Sequence, residues 1–221
     1  MRMFLMTAAA MALAATTAQA AVISVSGAVF DPDITDNNLD AGGTENALPV
    51  VFDEAQNIEI EPLTVDFIVG DNIAVGDTID FEPPSFDVGD TRVLSAGTYD
   101  SHFVHFDPIG APSPEAETQG AEIIFDGIIV AIIVSNVGPS LLNASDSVLG
   151  TAASYSTVAG RQIDTTDVFT LKAPRVLRLD HLQAGVGIDN IRVITADIPL
   201  PAAGWLMLGA IGGFALLRRA A

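Results

Sequence analysis

Clustered carboxylates are the first residues in this sequence that suggest chemistry. Residues 31–40 read DPDITDNNLD and contain Asp31, Asp33, Asp36 and Asp40. Carboxylate and amide oxygens in such a cluster suit Ca²⁺, which takes about six to eight oxygen ligands. The segment is not an EF-hand, because Asp36 stands where that loop needs glycine and no glutamate follows at the twelfth position. The sequence therefore offers a Ca²⁺ site here, with a solvated acidic loop as the alternative.

Two histidines, His102 and His105, lie three residues apart in an apolar segment. Side chains three apart on a β-strand point to opposite faces, so this pair does not share a metal ion without a bulge. The same parity separates His102 from Ser101 and from Asp107, and the chain lacks the G-x-S-x-G elbow of many serine hydrolases. We therefore predict no catalytic residue, no cofactor other than Ca²⁺, and no enzymatic activity.

Composition excludes further classes of protein. The 221 residues include 9 Lys and Arg against 28 Asp and Glu, a formal net charge of −19, and no cysteine. A nucleic-acid partner is excluded, because no basic surface is available to neutralise a phosphate backbone. Disulfides and thiolate metal sites are excluded as well. Apolar residues reach 49% of the chain, which is enough for a folded core and unlike a disordered acidic tail.

The amino-terminal residues have the features of a secretory signal peptide. Residues 1–20 begin with one early cation, Arg2, continue through an apolar stretch and end on Ala18-Gln19-Ala20. A positive start, a short apolar segment and an A-x-A exit define such signals. We predict export through the general secretion machinery and cleavage by signal peptidase after Ala20. The alternative is a retained membrane helix, for which the apolar stretch is short.

The carboxyl-terminal segment, residues 198–221, contains a candidate membrane span. Its first 20 residues are uncharged, and Arg218 and Arg219 follow them immediately. At about 1.5 Å per residue, such a run matches the roughly 30 Å hydrocarbon core of a bilayer. We predict a single transmembrane helix over about 202–217. The arginine pair should stay cytoplasmic, which leaves the preceding body outside.

A proline-containing motif directly precedes this span. Pro199 and Pro201 oppose helix formation and favour an extended segment just outside the bilayer, which suits a protease site. The arrangement resembles the C-terminal sorting signal of the PEP-CTERM class in its VPLPA-CTERM variant, with isoleucine in place of the usual first valine. The motif residues are Ile198, Pro199, Leu200, Pro201, Ala202 and Ala203.

The resemblance covers residues 198–221 and implies a Gram-negative envelope protein. An exosortase-type transpeptidase would recognise the tail, cut near the prolines and deliver the body to the cell surface or the extracellular matrix. In that case the tail would anchor the protein in the inner membrane only transiently. A permanent single-span anchor is the alternative.

Residues 21–197 remain as one extracytoplasmic domain of ordinary size. Six basic residues against 28 acidic ones give this body a formal charge of −22, which favours solubility and either repels polyanions or attracts divalent cations. Short β-branched and alternating segments, separated by Gly, Pro, Asn and Asp, predict strands throughout. Because amphipathic helices for parallel βαβ units are missing, we expect an all-β fold, an antiparallel β-sandwich or jelly-roll-like body.

Three local predictions can be compared directly with the structure. Val22–Ser26 and residues 190–194 are typical of strands. Asp126-Gly127 lies between two apolar segments and is typical of a tight type I′ hairpin. Residues 141–149 suggest a helical turn.

These features predict a non-enzymatic exported protein of the cell surface or extracellular matrix, with a structural or adhesive role in the envelope or biofilm. Residues 188–193, IDNIRV, also resemble the closing strand of many carbohydrate-binding jelly rolls. A carbohydrate-binding module with envelope polysaccharide as its partner is therefore the alternative. Glycan sites usually need an exposed aromatic platform, and the body has no tryptophan.

Overall fold

The computed structural model describes residues 21–32, 38–39, 46–81, 91–109, 116–118, 120–134, 141–150, 154–155, 163–184 and 187–197. These residues form mostly β-strands with one short helix, so the all-β prediction is confirmed. The elements are β1 (Val22–Ser26), β2 (Val29–Phe30), β3 (Asn38–Leu39), β4 (Val50–Asp53), β5 (Ile58–Ile60), β6 (Leu63–Val65), β7 (Phe67–Ile68), β8 (Thr78–Asp80), β9 (Arg92–Leu94), β10 (Gly97–Phe106), β11 (Ala116–Thr118), β12 (Ala121–Phe125), β13 (Ile128–Ile133), α1 (Leu141–Leu149), β14 (Ser154–Tyr155), β15 (Val168–Ala173), β16 (Val176–Ala184) and β17 (Asp189–Ala196).

Two larger sheets organise the domain. The six-stranded sheet has the order β1-β12-β16-β15-β8, and β11 also pairs with β16. The seven-stranded sheet has the order β2-β4-β10-β17-β13-β7, and β5 pairs with the start of β10. Pairing within both sheets is antiparallel except between β2 and β4. The two longest pairing partners at the centre of the second sheet, β10 and β17, place Phe103 opposite Arg192 and Val104 opposite Ile191.

The larger core lies between these two sheets. Val104 and Phe106 from β10 meet Phe125 from β12 in one continuous buried cluster. Phe169 of β15 lies edge-on to Phe67 of β7, with ring centroids 5.9 Å apart, and so joins the two sheets directly. The sheets face each other in a sandwich-like manner, because each strand must bury its apolar face against another layer.

A second core covers the opposite face of the seven-stranded sheet. Phe52 and Phe103 on that face pack with Leu142 and Leu149 of α1, and the small sheets β6-β9 and β3-β14 contribute to the same cluster. The central strands are therefore buried on both faces. All residues of β17 from Asp189 to Thr195 are buried, so the side chains on both faces of this strand lie inside the protein.

The helix has the bounds of the predicted helical turn, Leu141–Leu149, and ends at a glycine for a steric reason. It spans nine residues, and the Gly150 N–H donates to the carbonyl oxygen of Asp146 at 2.9 Å. A Cβ on Gly150 would lie 2.4 Å from that same oxygen and 2.9 Å from the ring of Tyr155. Only glycine allows the chain to leave the helix so close to β14.

The hairpin predicted at Asp126-Gly127 is wrong. β12 and β13 do not pair with each other: β12 belongs to the six-stranded sheet and β13 to the seven-stranded sheet. Neither Asp126 nor Gly127 has the positive φ that a type I′ turn requires. Both flanking strands are strongly apolar and find longer partners, β16 and β17, so the dipeptide forms a corner between the sheets.

The predicted signal peptide and sorting tail lie outside the described residues. Among the residues that the structure describes, no helix has the length and hydropathy needed to cross a membrane. The predicted transmembrane helix over 202–217 is not among them.

Candidate functional site

Arg192 is the most unusual residue of the described fold. It lies in the middle of β17 between Ile191 and Val193, faces α1, and is completely buried. A buried guanidinium must find partners for its donors, since an uncompensated charge is costly to remove from water.

All five N–H groups of Arg192 have acceptors. Nε and one nitrogen of the fork each donate to one oxygen of Glu54, both at 2.7 Å, which makes a bidentate pair. The same fork nitrogen reaches Asp146 Oδ1 at 2.9 Å. The other fork nitrogen donates to the Leu142 carbonyl oxygen at 3.2 Å and to the Ser145 hydroxyl. The guanidinium thereby joins β17 to the end of β4 and to α1.

Glu54 is also fully engaged. Its side chain is completely buried, and it accepts hydrogen bonds from the Ser101 hydroxyl at 2.6 Å and from the Tyr155 hydroxyl at 2.5 Å. The guanidinium of Arg192 lies over the ring of Phe103, 5.1 Å from its centroid, and 5.6 Å from that of Tyr155. These residues, with Asp146 and Ser145, form what we call the Arg192 cluster.

The electrostatics of this cluster keep the guanidinium charged. Burial alone would lower the pKa of Arg192, but the carboxylates of Glu54 and Asp146 outweigh that effect and raise it above its ordinary value. One cation balances two anions, and Asp146, 19% exposed at its side chain, has access to solvent. The Arg192–Glu54 pair has no exposed surface and connects the helix to the sheet.

His102 lies on the face of β10 that points to the six-stranded sheet, opposite to the face that packs against α1. Its Nδ1 lies 2.6 Å from Asp53 Oδ1, its Nε2 lies 3.0 Å from the Thr195 hydroxyl, and its ring packs against Phe125. The order carboxylate, imidazole, hydroxyl is that of a catalytic relay. Here the histidine and the threonine are completely buried within the sandwich core, so the hydroxyl has no contact with solvent. The three side chains instead connect the strands β4, β10 and β17.

The structure separates the residues that could have formed a hydrolytic site. Ser101 and His105 point to the α1 side of the sheet, whereas His102 points to the six-stranded sheet. Ser101 donates to Glu54, and His105 Nδ1 lies 2.8 Å from Asn190 Oδ1. Asp107 follows the strand, and its carbonyl oxygen accepts from Asn46. The strand parity predicted from sequence is thus present, and it places the two histidines in different layers.

Asp167 is another buried acid, located in the turn before β15. Its two oxygens accept backbone hydrogen bonds from Gln183 at 2.9 Å and Asp164 at 2.5 Å. Burial raises the pKa of Asp167 to about 6, and the nearby Asp164 adds to this. The two backbone donors and His181 oppose the rise. The group therefore titrates in the mildly acidic range.

The predicted Ca²⁺ site falls mainly outside the described residues. Asp31 is described, and its backbone N–H donates to the Val51 carbonyl oxygen at 2.9 Å. Asp33, Asp36 and Asp40 are outside the described part of the chain. Within the part that the structure describes, no three His, Asp or Glu residues are arranged to hold a metal ion.

The segment that resembles a carbohydrate-binding strand has an internal position. Asp189 and Asn190 are the first residues of β17, and both are buried at the centre of the seven-stranded sheet. They form neither a turn nor an exposed surface.

Comparison with known proteins gives no relative for this chain. No protein-family model matches it, and no curated protein or solved structure is significantly similar to it.

Sequence reasoning missed the Arg192 cluster, although a signal was present. Arg192 is the one cation in residues 188–194 and stands between the apolar residues Ile191 and Val193, and Glu54 directly follows the buried strand β4. A charge at such a position implies a buried partner of opposite sign. The sequence alone did not show which of the 28 acids that partner was.

Proposed function

We propose that this chain is a non-enzymatic, exported surface or extracellular-matrix protein with a structural or adhesive role in the envelope or biofilm. In this proposal, signal peptidase removes residues 1–20. The tail spans the inner membrane transiently, and an exosortase-type transpeptidase cuts near residues 198–203. The jelly-roll-like description of the body belongs to the same proposal, supported by two packed, largely antiparallel sheets.

The observation that carries the proposal is the position of the two ends of the body. Ala21 lies against Asp126 through a hydrogen bond in each direction. Ala196, one residue before the end of the described chain, pairs with Ile128 on the other side of the same corner. The first and nearly last described residues of the body therefore lie at one end of the sandwich, which supports the proposal that both ends of the chain are processed at the same membrane. In this arrangement, the rest of the body's surface would face away from the membrane at which the two enzymes cut the chain.

The buried polar groups support a structural role. Arg192 and His102 have their polar atoms engaged inside the protein, in contacts that join strands and helix. Active sites usually hold their titratable groups in accessible clefts, and these two side chains have no exposed surface.

The exposed apolar side chains give little support to the carbohydrate alternative. In the described part of the chain, the exposed large apolar residues are all aliphatic, including Ile23, Val93 and Ile109. A sugar platform is normally an exposed aromatic ring. Tyr99 and Tyr155 are both partly buried.

The tail can be tested with a double proline variant in a host that has an active exosortase. Replacing Pro199 and Pro201 by Ala should let the helix extend outward and block processing, while the apolar run still inserts. We expect a longer, membrane-bound form after cell fractionation, and its intact mass should include the tail.

The matched control replaces two exposed prolines of the body, Pro32 and Pro62, by Ala. This variant should be processed like the wild type. A wild-type protein that is itself full-length and membrane-bound in this host would contradict sorting and identify the tail as a permanent anchor.

A further inference from the structure

The first residue of the described body has a carboxylate partner. The Ala21 N–H donates to Asp126 Oδ1 at 2.5 Å, and the Asp126 N–H donates back to the Ala21 carbonyl oxygen at 3.0 Å. Asp126 lies in the corner between β12 and β13, and both residues are half-buried. The amino end of the body is therefore held at a defined point of the fold.

The next residue is held in the same way. The Val22 N–H donates to Asp53 Oδ1 at 3.1 Å, and that same oxygen contacts His102. Two consecutive backbone nitrogens at the start of β1 thus point to two separate carboxylates. β1 is an edge strand, with β12 as its partner in the sheet, so these contacts fix a strand that has one unpaired side.

We propose that Asp126 is a binding site for the α-ammonium group that signal peptidase creates at Ala21, so that processing fastens the edge strand β1 to the body by an ion pair. This inference rests on the export step of the proposed function. It adds that the position of the cut matters to the folded protein as well as to the secretion machinery.

The chemistry of cleavage supplies the charge. Water adds across the bond between Ala20 and Ala21 as the C–N bond breaks: the hydroxyl goes to the Ala20 carbonyl carbon, and the nitrogen of Ala21 gains one proton from the water and a second from the new carboxylic acid, which becomes a carboxylate. Before the cut this nitrogen is a neutral amide with one hydrogen. After the cut it has three donors and a positive charge opposite the Asp126 carboxylate, which makes a stronger, charge-assisted hydrogen bond.

The surroundings favour this pair. The guanidinium of Arg175 donates to the backbone carbonyl oxygen of Asp126 at 3.2 Å, so this cation contacts the main chain of Asp126. The body carries a formal charge of −22, and a new cation relieves part of that repulsion. The recognition of a terminal amine by a fixed acceptor is an established mode of peptide binding.

The test measures how fast the α-amine of the exported protein reacts with an acylating reagent. An ammonium group held by a carboxylate is kept in its charged, unreactive form, so Asp126→Asn should raise the acylation rate about fivefold. The chain contains a single lysine, Lys172, which makes the α-amine simple to follow by mass spectrometry. Glu59→Gln, an exposed acid on β5, removes the same charge at a distance and should react like the wild type.

A second measurement needs no variant. The α-amine of the wild-type protein should react about fivefold more slowly than that of the free peptide Ala-Val-Ile, which has the same first three residues. Equal rates for protein and peptide would overturn the inference even if Asp126→Asn failed to fold.

N-terminal sequencing of the same sample separates the two proposals. A protein that begins at Ala21 and has an unprotected amine overturns the Asp126 site and leaves export intact. A protein that begins at any other residue overturns both the site and the predicted cleavage. A protein that begins at Ala21, with an amine that Asp126→Asn exposes, is the expected result.

Discussion

Replacing Arg192 by Met should remove a large part of the stability of the domain. Met has a similar length and no charge, so the substitution leaves Glu54 completely buried with two hydroxyl donors in place of a bidentate guanidinium. Breaking a buried ion pair from one side costs about 3–5 kcal/mol. The free energy of unfolding of a typical domain is about 5–15 kcal/mol, so the expected loss is a major fraction of this stability.

Two further variants separate the ion pair from a general effect of losing an arginine. Arg178 is 44% exposed at its side chain and pairs with Asp180 at 2.9 Å. Arg178→Met should cost no more than about 1 kcal/mol, as expected for a surface pair. The double variant Glu54→Gln/Arg192→Met removes both charges together. It should be destabilised by about 2–3 kcal/mol less than the sum of its single variants.

The assay is urea unfolding of the purified chain, followed by far-ultraviolet circular dichroism. The midpoint should fall for Arg192→Met with an unchanged slope, because the folded and unfolded states keep their compactness. Two results would refute the reasoning: equal midpoints for the Arg192 and Arg178 variants, or losses at Glu54 and Arg192 that simply add.

Three further predictions concern a buried acid, two glycines and the acidic segment. The folded state binds the proton of Asp167 more tightly than the unfolded state, because its pKa is raised to about 6. The stability of the wild type relative to Asp167→Asn should therefore fall by about 2 kcal/mol as the pH rises from about 4 to about 6, and a flat difference in thermal melts would contradict this. Gly27 and Gly120 have nearly equal φ values of +69° and +71°, but a Cβ at Gly27 would lie 3.1 Å from the backbone of Ala121, whereas at Gly120 the nearest atom is 3.8 Å away. Gly27→Ala should cost about 1 kcal/mol more than Gly120→Ala in urea unfolding, and equal losses would show that the φ angle alone decides. Millimolar Ca²⁺ should raise the melting temperature over that in chelator if residues 31–40 bind the ion, and an unchanged value would exclude the site.

The strands were predictable where local pattern decides them. β1 begins and ends at the predicted residues 22 and 26, and β17 contains the predicted strand 190–194 but begins one residue earlier and ends two residues later. Parity also placed His102 and His105 on opposite faces correctly. These results depend on a period of two and on side-chain branching, both of which are visible within a few residues.

The arrangement of the two larger sheets and the Arg192 cluster could not be predicted, because both depend on contacts between distant parts of the chain. Asp126-Gly127 has the composition of a hairpin, yet the strands on either side pair with β16 and β17, more than 50 residues further along the chain. Glu54 and Arg192 are 138 residues apart. A local sequence pattern cannot indicate such distant pairings. The burial of the seven-stranded sheet on both faces depends on them and was therefore not predictable either.

The position of β17 also sets when the domain can fold. This last strand lies between β10 and β13, so a chain that lacks it has its seven-stranded sheet divided into two parts, with both cores incomplete. In a chain that crosses the membrane from its amino end, residues 189–196 emerge last, directly before the predicted span. Sheets built from such distant strands form slowly, because the entropy cost of closing the long loops between the strands comes before their stabilising contacts form. If the chain is exported as proposed, the strands that emerge first therefore cannot complete the seven-stranded sheet until residues 189–196 have also crossed the membrane.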